Sequence, residues 1–391
     1  MTGEPPPVPC FRDALSRSRS SDEAPPAPMN DAATLTDPDA LFDVLAERLE
    51  DVPSDRELRT KAERAAEINQ LKREQNAVIL GHNYMEPALF HTIPDYTGSS
   101  LELSRRAAEA DADTIVFCGV RFMAETAKIL NPDKTVLLPA EEAGCSLAEA
   151  ITAEDVRRLR ERYPGVPVVT YVNTYADVKA ESDVCCTSSN AAAVVESLDA
   201  DTVIFIPDEF LAQNVAQETG KEILFPQKRQ RKGTGDGAPT GGDGAPAEGL
   251  EPDLIGWEGR CVVHEMFQVE DIQQAREEHP DTVVLAHPEC SPEVVEEADH
   301  SGSTSSMIEY VENTDAESYL LLTECSMGDN IMGENPDKNL LRMCWQRCPH
   351  MNQITLQDTR HNLANNQYQI EIEEEVRVRA LEAVERMLEI G

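Results

Sequence analysis

Positive charge is scarce in this chain of 391 residues: 34 lysines and arginines stand against 73 aspartates and glutamates, a formal net charge of −39. That shortage excludes nucleic acid as a partner, because no basic surface is available to displace counterions from phosphates. So large an acid excess suits concentrated salt, where a short Debye length suppresses self-repulsion, and it predicts a halophilic source. Long apolar runs are missing too. None approaches the roughly 20 residues that span a bilayer, so no membrane association is expected. The opening MTGEPPPVPC lacks the apolar core of a secretory leader. These absences predict a cytoplasmic protein whose ten cysteines are thiols or metal ligands rather than a disulfide framework.

The length is enough for two or three domains, or one large α/β assembly, and an apolar content of 40% is enough for a real core. Residues 1–38, rich in Pro, Ser, Ala and Asp, predict a disordered tail. A helical pattern follows from Asp39 to about Gln75. A second break, QKRQRKGTGDGAPTGGDGAPAEGL at about 227–250, predicts a flexible surface insertion. Its opening basic cluster reads as a solvated loop, since a few cations cannot offset the surrounding charge.

Between the breaks the sequence repeats itself. GSSLELSRRAAEADADTIVFCG from Gly98, TSSNAAAVVESLDADTVIFIPD from Thr187 and GSTSSMIEYVENTDAESYLLLTE from Gly302 each run from small hydroxyl residues through a helical pattern to an apolar strand. Each is preceded by an apolar run with a polar tip: AVILGHNY, PVVTYVN and TVVLAHPE. From tip to hydroxyl cluster the distance is 18 residues from His82 to Ser100, 17 from Tyr171 to Ser188, and 17 from His287 to Thr304. Strand, connection, helix and strand at this spacing predict right-handed βαβ units in short parallel sheets. A cysteine also recurs. Cys145 lies 27 residues beyond Cys118, Cys261 lies 54 beyond Pro207 with about 24 of them in the Gly/Pro break, and Cys348 lies 25 beyond Thr323.

Ligands bind beyond the carboxyl ends of strands in open α/β sheets. Three such ends converging on one pseudo-threefold cavity would bring together His82 and Tyr84, Tyr171 and Asn173, and His287 and Glu289, a set of acid/base groups and hydrogen-bond donors. The hydroxyl clusters at Ser100, Thr187 to Ser189 and Ser303 to Ser305 fall where helices begin, and helix N-termini suit phosphate or carboxylate. One such cluster is ordinarily a cap. Three at matched distance from polar tips favour an anion site. The three equivalent cysteines suit a zinc ion, or three irons of a [4Fe–4S] cluster with the fourth left open as a Lewis acid. Cys344 and Cys348 compete for the third place. Cys118, Cys185, Cys186, Cys290 and Cys325 read as buried packing residues, and Cys10 as a tail residue.

These motifs resemble quinolinate synthase, the iron–sulfur enzyme family of de novo NAD biosynthesis. The likeness runs from about Val78 to Leu356 and through the last helix: GHNY, SLELS, FCGVRFMAETAKILNPDK, AGCSL, VVTYVNTYADVKAESDVCCTSSNA, WEGRCVVH, HPEC, GSTSSMIEYV and CPHMNQITL. It implies three similar α/β/α domains with short parallel sheets in pseudo-threefold arrangement around a central active site, here 39–160, 161–275 and 276–391. It implies condensation of iminoaspartate with dihydroxyacetone phosphate to quinolinate, with loss of phosphate and water, and a functional link to an enzyme that produces iminoaspartate. By motif the [4Fe–4S] ligands are Cys145, Cys261 and Cys348. His82, Tyr84, Tyr171, Asn173, Ser188, His287, Glu289, Ser303 and Thr304 fall on substrate-site motifs, with Glu289, His82 and Tyr84 as proton carriers and His287 and Asn173 as orienting groups. Ser100 matches the serine of a G-D-S-L motif, which reads Gly98-Ser99-Ser100-Leu101 here. Two rivals remain. A different iron–sulfur hydro-lyase would keep the cluster but need no phosphate site, and a zinc-stabilised regulatory protein would be colourless instead of brown.

Overall fold

The computed structural model describes residues 30–49, 54–226, 252–341 and 346–390. The insertion at 227–250, the tail up to residue 29, and Cys344 lie outside the described residues. Three parallel sheets carry the architecture. The first holds β1 (Ala77–His82), β2 (Tyr96–Gly98), β3 (Thr114–Cys118) and β4 (Thr135–Leu137) in the order β2-β1-β3-β4. The second holds β5 (Val168–Tyr171), β6 (Val184–Cys186), β7 (Val203–Ile206), β8 (Ile223–Leu224) and β9 (Leu254–Ile255) in the order β6-β5-β7-β9-β8. The third holds β10 (Thr282–Ala286), β11 (His300–Ser301), β12 (Ser318–Leu322) and β13 (Leu340–Leu341) in the order β11-β10-β12-β13.

The central strands are apolar because helices cover both faces of a parallel sheet. Every residue of β3, β7 and β12 is buried. Full burial of one such aliphatic or aromatic side chain contributes about 1.5–3 kcal/mol. Each repeat is richer than the sequence pattern indicates, because a short strand precedes each hydroxyl cluster. An aspartate staples that strand to its neighbour. Asp95, Asp183 and Asp299 each accept, through a carboxylate oxygen, the N–H of Ile79, Val168 and Val284 at 2.8, 2.7 and 2.8 Å. Their own N–H groups return to the same residues' carbonyls. A cation from the preceding helix, Lys72, Arg160 or Arg276, pairs with each aspartate. One device used three times fixes the register of all three sheets.

Two features differ from the sequence expectation. Residues 30–37 are folded: a 3-10 turn at Asp31–Thr34 buries Ala32 and Ala33, and the Asn69 amide holds the carbonyls of Ala32 and Leu35 at 3.1 and 2.8 Å. The tail therefore ends earlier than composition suggests, because two alanines and one buried amide suffice to fasten a polar segment. The C-terminal helix Glu374–Ile390 follows the third sheet in sequence but clasps the other two. Arg377 donates to the Ile129 carbonyl at 3.3 Å, and the Asn190 and Arg386 side chains tie the same helix to the second sheet.

Candidate functional site

The three sheets point their carboxyl ends at one cavity of about 70 Å³. It is lined by residues of all three units, including His82, Tyr84, Ser100, Tyr171, Asn173, Ser188, His287, Glu289 and Thr304, together with Cys145, Cys261 and Cys348. Ser303 is not among them. It caps the helix Thr304–Asn313, accepting the Ser306 N–H at 3.3 Å, while Thr304 beside it faces the cavity and accepts the Asn83 amide at 3.0 Å. At the first hydroxyl cluster Ser99 is consumed as a cap through a reciprocal pairing with Glu102, which leaves Ser100 as the hydroxyl to meet a ligand. No lysine or arginine is found among the described residues that line the cavity. Anions there must be held by N–H groups, hydroxyls and imidazoles.

The three cysteines occupy matching backbone settings. The N–H that opens the helix after β3, β7 and β12 donates to the carbonyl two residues before each thiol: Arg121 to Ala143 at 2.8 Å, Glu209 to Gly259 at 2.8 Å, and Cys325 to Gln346 at 3.0 Å. Each cysteine then starts a helical turn, its carbonyl accepting from Glu149, Glu265 or Asn352 at 3.0 Å. Ser146 links two of the loops, donating to the Arg260 carbonyl at 3.1 Å and accepting the Val262 N–H at 3.2 Å. Burial pushes the Cys145 thiol up to about 12, and it raises Cys261 and Cys348 as well. In every case the N–H groups two and three residues on oppose that rise, so the backbone favours a thiolate wherever a metal repays the desolvation. By contrast Cys185 and Cys186 lie on β6, fully buried away from the cavity lining, as do Cys118 on β3 and Cys290.

Glu289 is the electrostatic centre of the site. Its Oε1 accepts the Tyr171 hydroxyl at 2.5 Å and the Asn173 amide at 3.3 Å, and its Oε2 lies 2.7 Å from His264 Nδ1. Burial alone would push this carboxyl up, but His264, His287 and Tyr171 hold it well below the usual carboxylate range, so it is ionised. His82 and His287 share one arrangement. The Nδ1 of each accepts the backbone N–H two residues on, from Tyr84 at 3.2 Å and Glu289 at 3.3 Å. That bond places the proton of the neutral ring on Nε2, turned toward the site. Burial lowers His82 to about 4 and His287 to about 3, the latter with help from His264, so both are neutral donors.

His264 escaped the sequence reading, although it stands three residues after a candidate ligand in WEGRCVVH. It is 2% exposed, stacks on His287 with ring centroids 4.6 Å apart, and its Nε2 lies 3.0 Å from Thr323 Oγ1. Thr323 in turn meets the Tyr84 hydroxyl at 2.7 Å. A continuous chain of polar groups thus runs from Tyr84 through Thr323, His264 and Glu289 to Tyr171. Lys179 was missed as well. Its buried ammonium holds the carbonyl of Val172 at 2.9 Å and that of Thr174 closely, bracketing Asn173. Only one signal could have found these two residues in sequence: both lie within a few residues of a tip or a recurring cysteine.

The comparisons with known proteins agree with this geometry. The family model described as quinolinate synthetase A protein matches residues 66–389. Quinolinate synthase 2 of Mesorhizobium japonicum is 52% identical over 323 residues, 83% of this chain and 90% of that protein. The quinolinate synthase of Agrobacterium fabrum is 50% identical over 323 residues, covering 83% and 84%, and that of Caulobacter vibrioides is 46% identical over 338 residues, covering 85% and 83%. With the match spanning all three sheets and the cavity between them, the chain belongs to the quinolinate synthetase A family.

Proposed function

We propose that this cavity is where the chain, a member of a quinolinate-forming enzyme family, condenses iminoaspartate with dihydroxyacetone phosphate to quinolinate, losing phosphate and water, for de novo NAD synthesis. One observation carries the reading: three thiols in equal backbone settings meet an ionised, fully held carboxylate in a cavity that no lysine or arginine lines among the described residues. The donor set fits a [4Fe–4S] cluster, since each unit offers one thiol and no fourth cysteine lines the cavity among the described residues. Cys145, Cys261 and Cys348 would hold it, and when bound it supplies an open Lewis-acid iron for substrate oxygens.

The chain's own residues do the rest. Glu289, braced by Tyr171 and Asn173, is the base that removes protons as the ring closes and becomes aromatic. Burial keeps the Tyr84 hydroxyl protonated well past its ordinary range, so it donates a proton to a departing hydroxyl. The Nε2–H groups of His82 and His287 orient the carboxylates of the four-carbon substrate. Ser100, Ser188 and Thr304, with the helix-start N–H groups beside them, take the phosphate and remaining carboxylate oxygens. Ser303 acts by capping the helix that presents Thr304.

We read 39–160, 161–275 and 276–373 as three domains around the cavity, with the last helix as a clasp. The acid excess supports a salt-rich cytoplasm as the setting, and the reactivity of an imine calls for an enzyme nearby that makes it. Among the described residues no helix is long and apolar enough to cross a membrane. The test is quinolinate production by the anaerobic, cluster-loaded chain supplied with iminoaspartate and dihydroxyacetone phosphate. Loaded protein that makes none would overturn the reading.

A further inference from the structure

We propose that the cluster-free chain carries a mononuclear zinc site, formed by Cys261 Sγ, His264 Nδ1 and Glu289 Oε2, whose occupancy excludes the cluster because Cys261 serves both. The inference rests on the reading of Cys261 as a cluster ligand. The three donor atoms lie within 4.8 Å of one another. His264 Nδ1 is 3.2 Å from Cys261 Sγ and 2.7 Å from Glu289 Oε2. Zinc takes sulfur at about 2.3 Å and nitrogen or oxygen at about 2.0–2.2 Å. Tetrahedral donors at those lengths stand roughly 3.4–3.6 Å apart, so entry of the ion opens the two pairs that include His264 by less than about 1 Å.

Both harder ligands are already held from behind, as metal ligands are. His264 Nε2 sits 3.0 Å from Thr323 Oγ1, which fixes the ring with Nδ1 toward the thiol. Glu289 Oε1 is engaged by Tyr171 at 2.5 Å and by Asn173 at 3.3 Å, leaving Oε2 for the ion. His264 and Glu289 are 2% and 4% exposed, and the cavity beside them gives room for a water as fourth ligand. Zinc binding displaces the thiol proton, and the His264 ring binds through Nδ1 with its proton on Nε2, facing Thr323 Oγ1. A sulfur–nitrogen–oxygen donor set suits zinc, whereas a cubane needs the other two thiols, which lie on other units.

The experiment uses the full chain, stripped of metal and kept anaerobic, with zinc alone as the first probe and cobalt(II) as its coloured substitute. About one zinc per chain is expected, with a thiolate-to-cobalt charge-transfer band, and prior zinc should block cluster formation when iron and sulfide are added. Cys145→Ala should lose the cluster but keep the zinc. His264→Ala and the more conservative Glu289→Gln should bind zinc at least 10-fold more weakly while still assembling a cluster. Zinc lost in Cys145→Ala and retained in His264→Ala would overturn the proposal in favour of a three-thiol site. Absence of zinc binding by the wild-type chain would overturn it outright. Failure of wild-type protein to take up iron and sulfide without zinc would instead contradict the cluster reading.

Discussion

The N–H of Cys325 donates to the carbonyl of Gln346 at 3.0 Å, and two residues beyond that carbonyl the chain delivers Cys348. The same bond precedes Cys145 and Cys261. Three loops of unrelated sequence are therefore pinned by one backbone contact, and this identifies Cys348 as the counterpart of the other two on structural grounds. Replacing any of the three by Ala should abolish retention of iron and sulfide, whereas Cys185→Ala on β6 should leave both unchanged. Metal and sulfide analysis of the four variants checks this, and an intact cluster in Cys348→Ala would remove it from the ligand set.

Glu289 makes a second prediction. Its carboxylate is held on both oxygens, so Glu289→Gln preserves much of the shape and removes the base. The variant should keep its iron and lose about 10²–10⁴ in kcat, the usual contribution of a positioned acid or base. Near-normal turnover in a loaded Glu289→Gln enzyme would assign the proton transfer elsewhere.

Lys179 is expected to matter through position alone. Without its ammonium, the buried carbonyl of Thr174 loses its donor, while that of Val172 keeps the Thr174 N–H at 2.8 Å, and an unsatisfied buried acceptor costs about 1–3 kcal/mol. Lys179→Met should unfold in urea with about 1–3 kcal/mol less stability, and its kcat should fall as Asn173 loosens from Glu289. Unfolding at the wild-type midpoint would show that the lysine is not what fixes the tip.

Acid stability gives a prediction away from the site. Burial, followed by the nearby Arg48, lowers His91 to about 3, and Glu334, 4.0 Å away and partly exposed, does not reverse this. The native ring stays neutral while the unfolded chain takes up a proton below about pH 6.5. Its contribution is thus complete above about pH 6.5 and is lost as pH falls toward 3, at about 1.4 kcal/mol per pH unit. His91→Asn should narrow the stability gap between pH 7 and pH 5 by about 2 kcal/mol, measured as urea midpoints. A gap equal to that of the wild type would refute it.

Much of this was legible in the sequence because the chain uses one unit three times. Tips ending at His82, Tyr171 and His287 and the recurring cysteines stand out once the three segments are aligned. The strands β2, β6 and β11 did not, because they are only two or three residues long, too short to show a period, and the aspartate staples that fix them leave no pattern in the sequence. His264 and Lys179 were hidden for another reason: their roles come from contacts across units or from carbonyl tethers, which leave no periodic trace. The C-terminal helix was placed with the third unit by order alone, whereas its apolar face is buried against the first and second.

The most direct test of the central claim is iron and acid-labile sulfide per chain after the stripped, anaerobic protein is reconstituted with both. About four of each, as one [4Fe–4S] cluster requires, is the predicted result, with quinolinate formed on adding the two substrates. A reconstituted chain that keeps three titratable thiols and no sulfide would contradict the account.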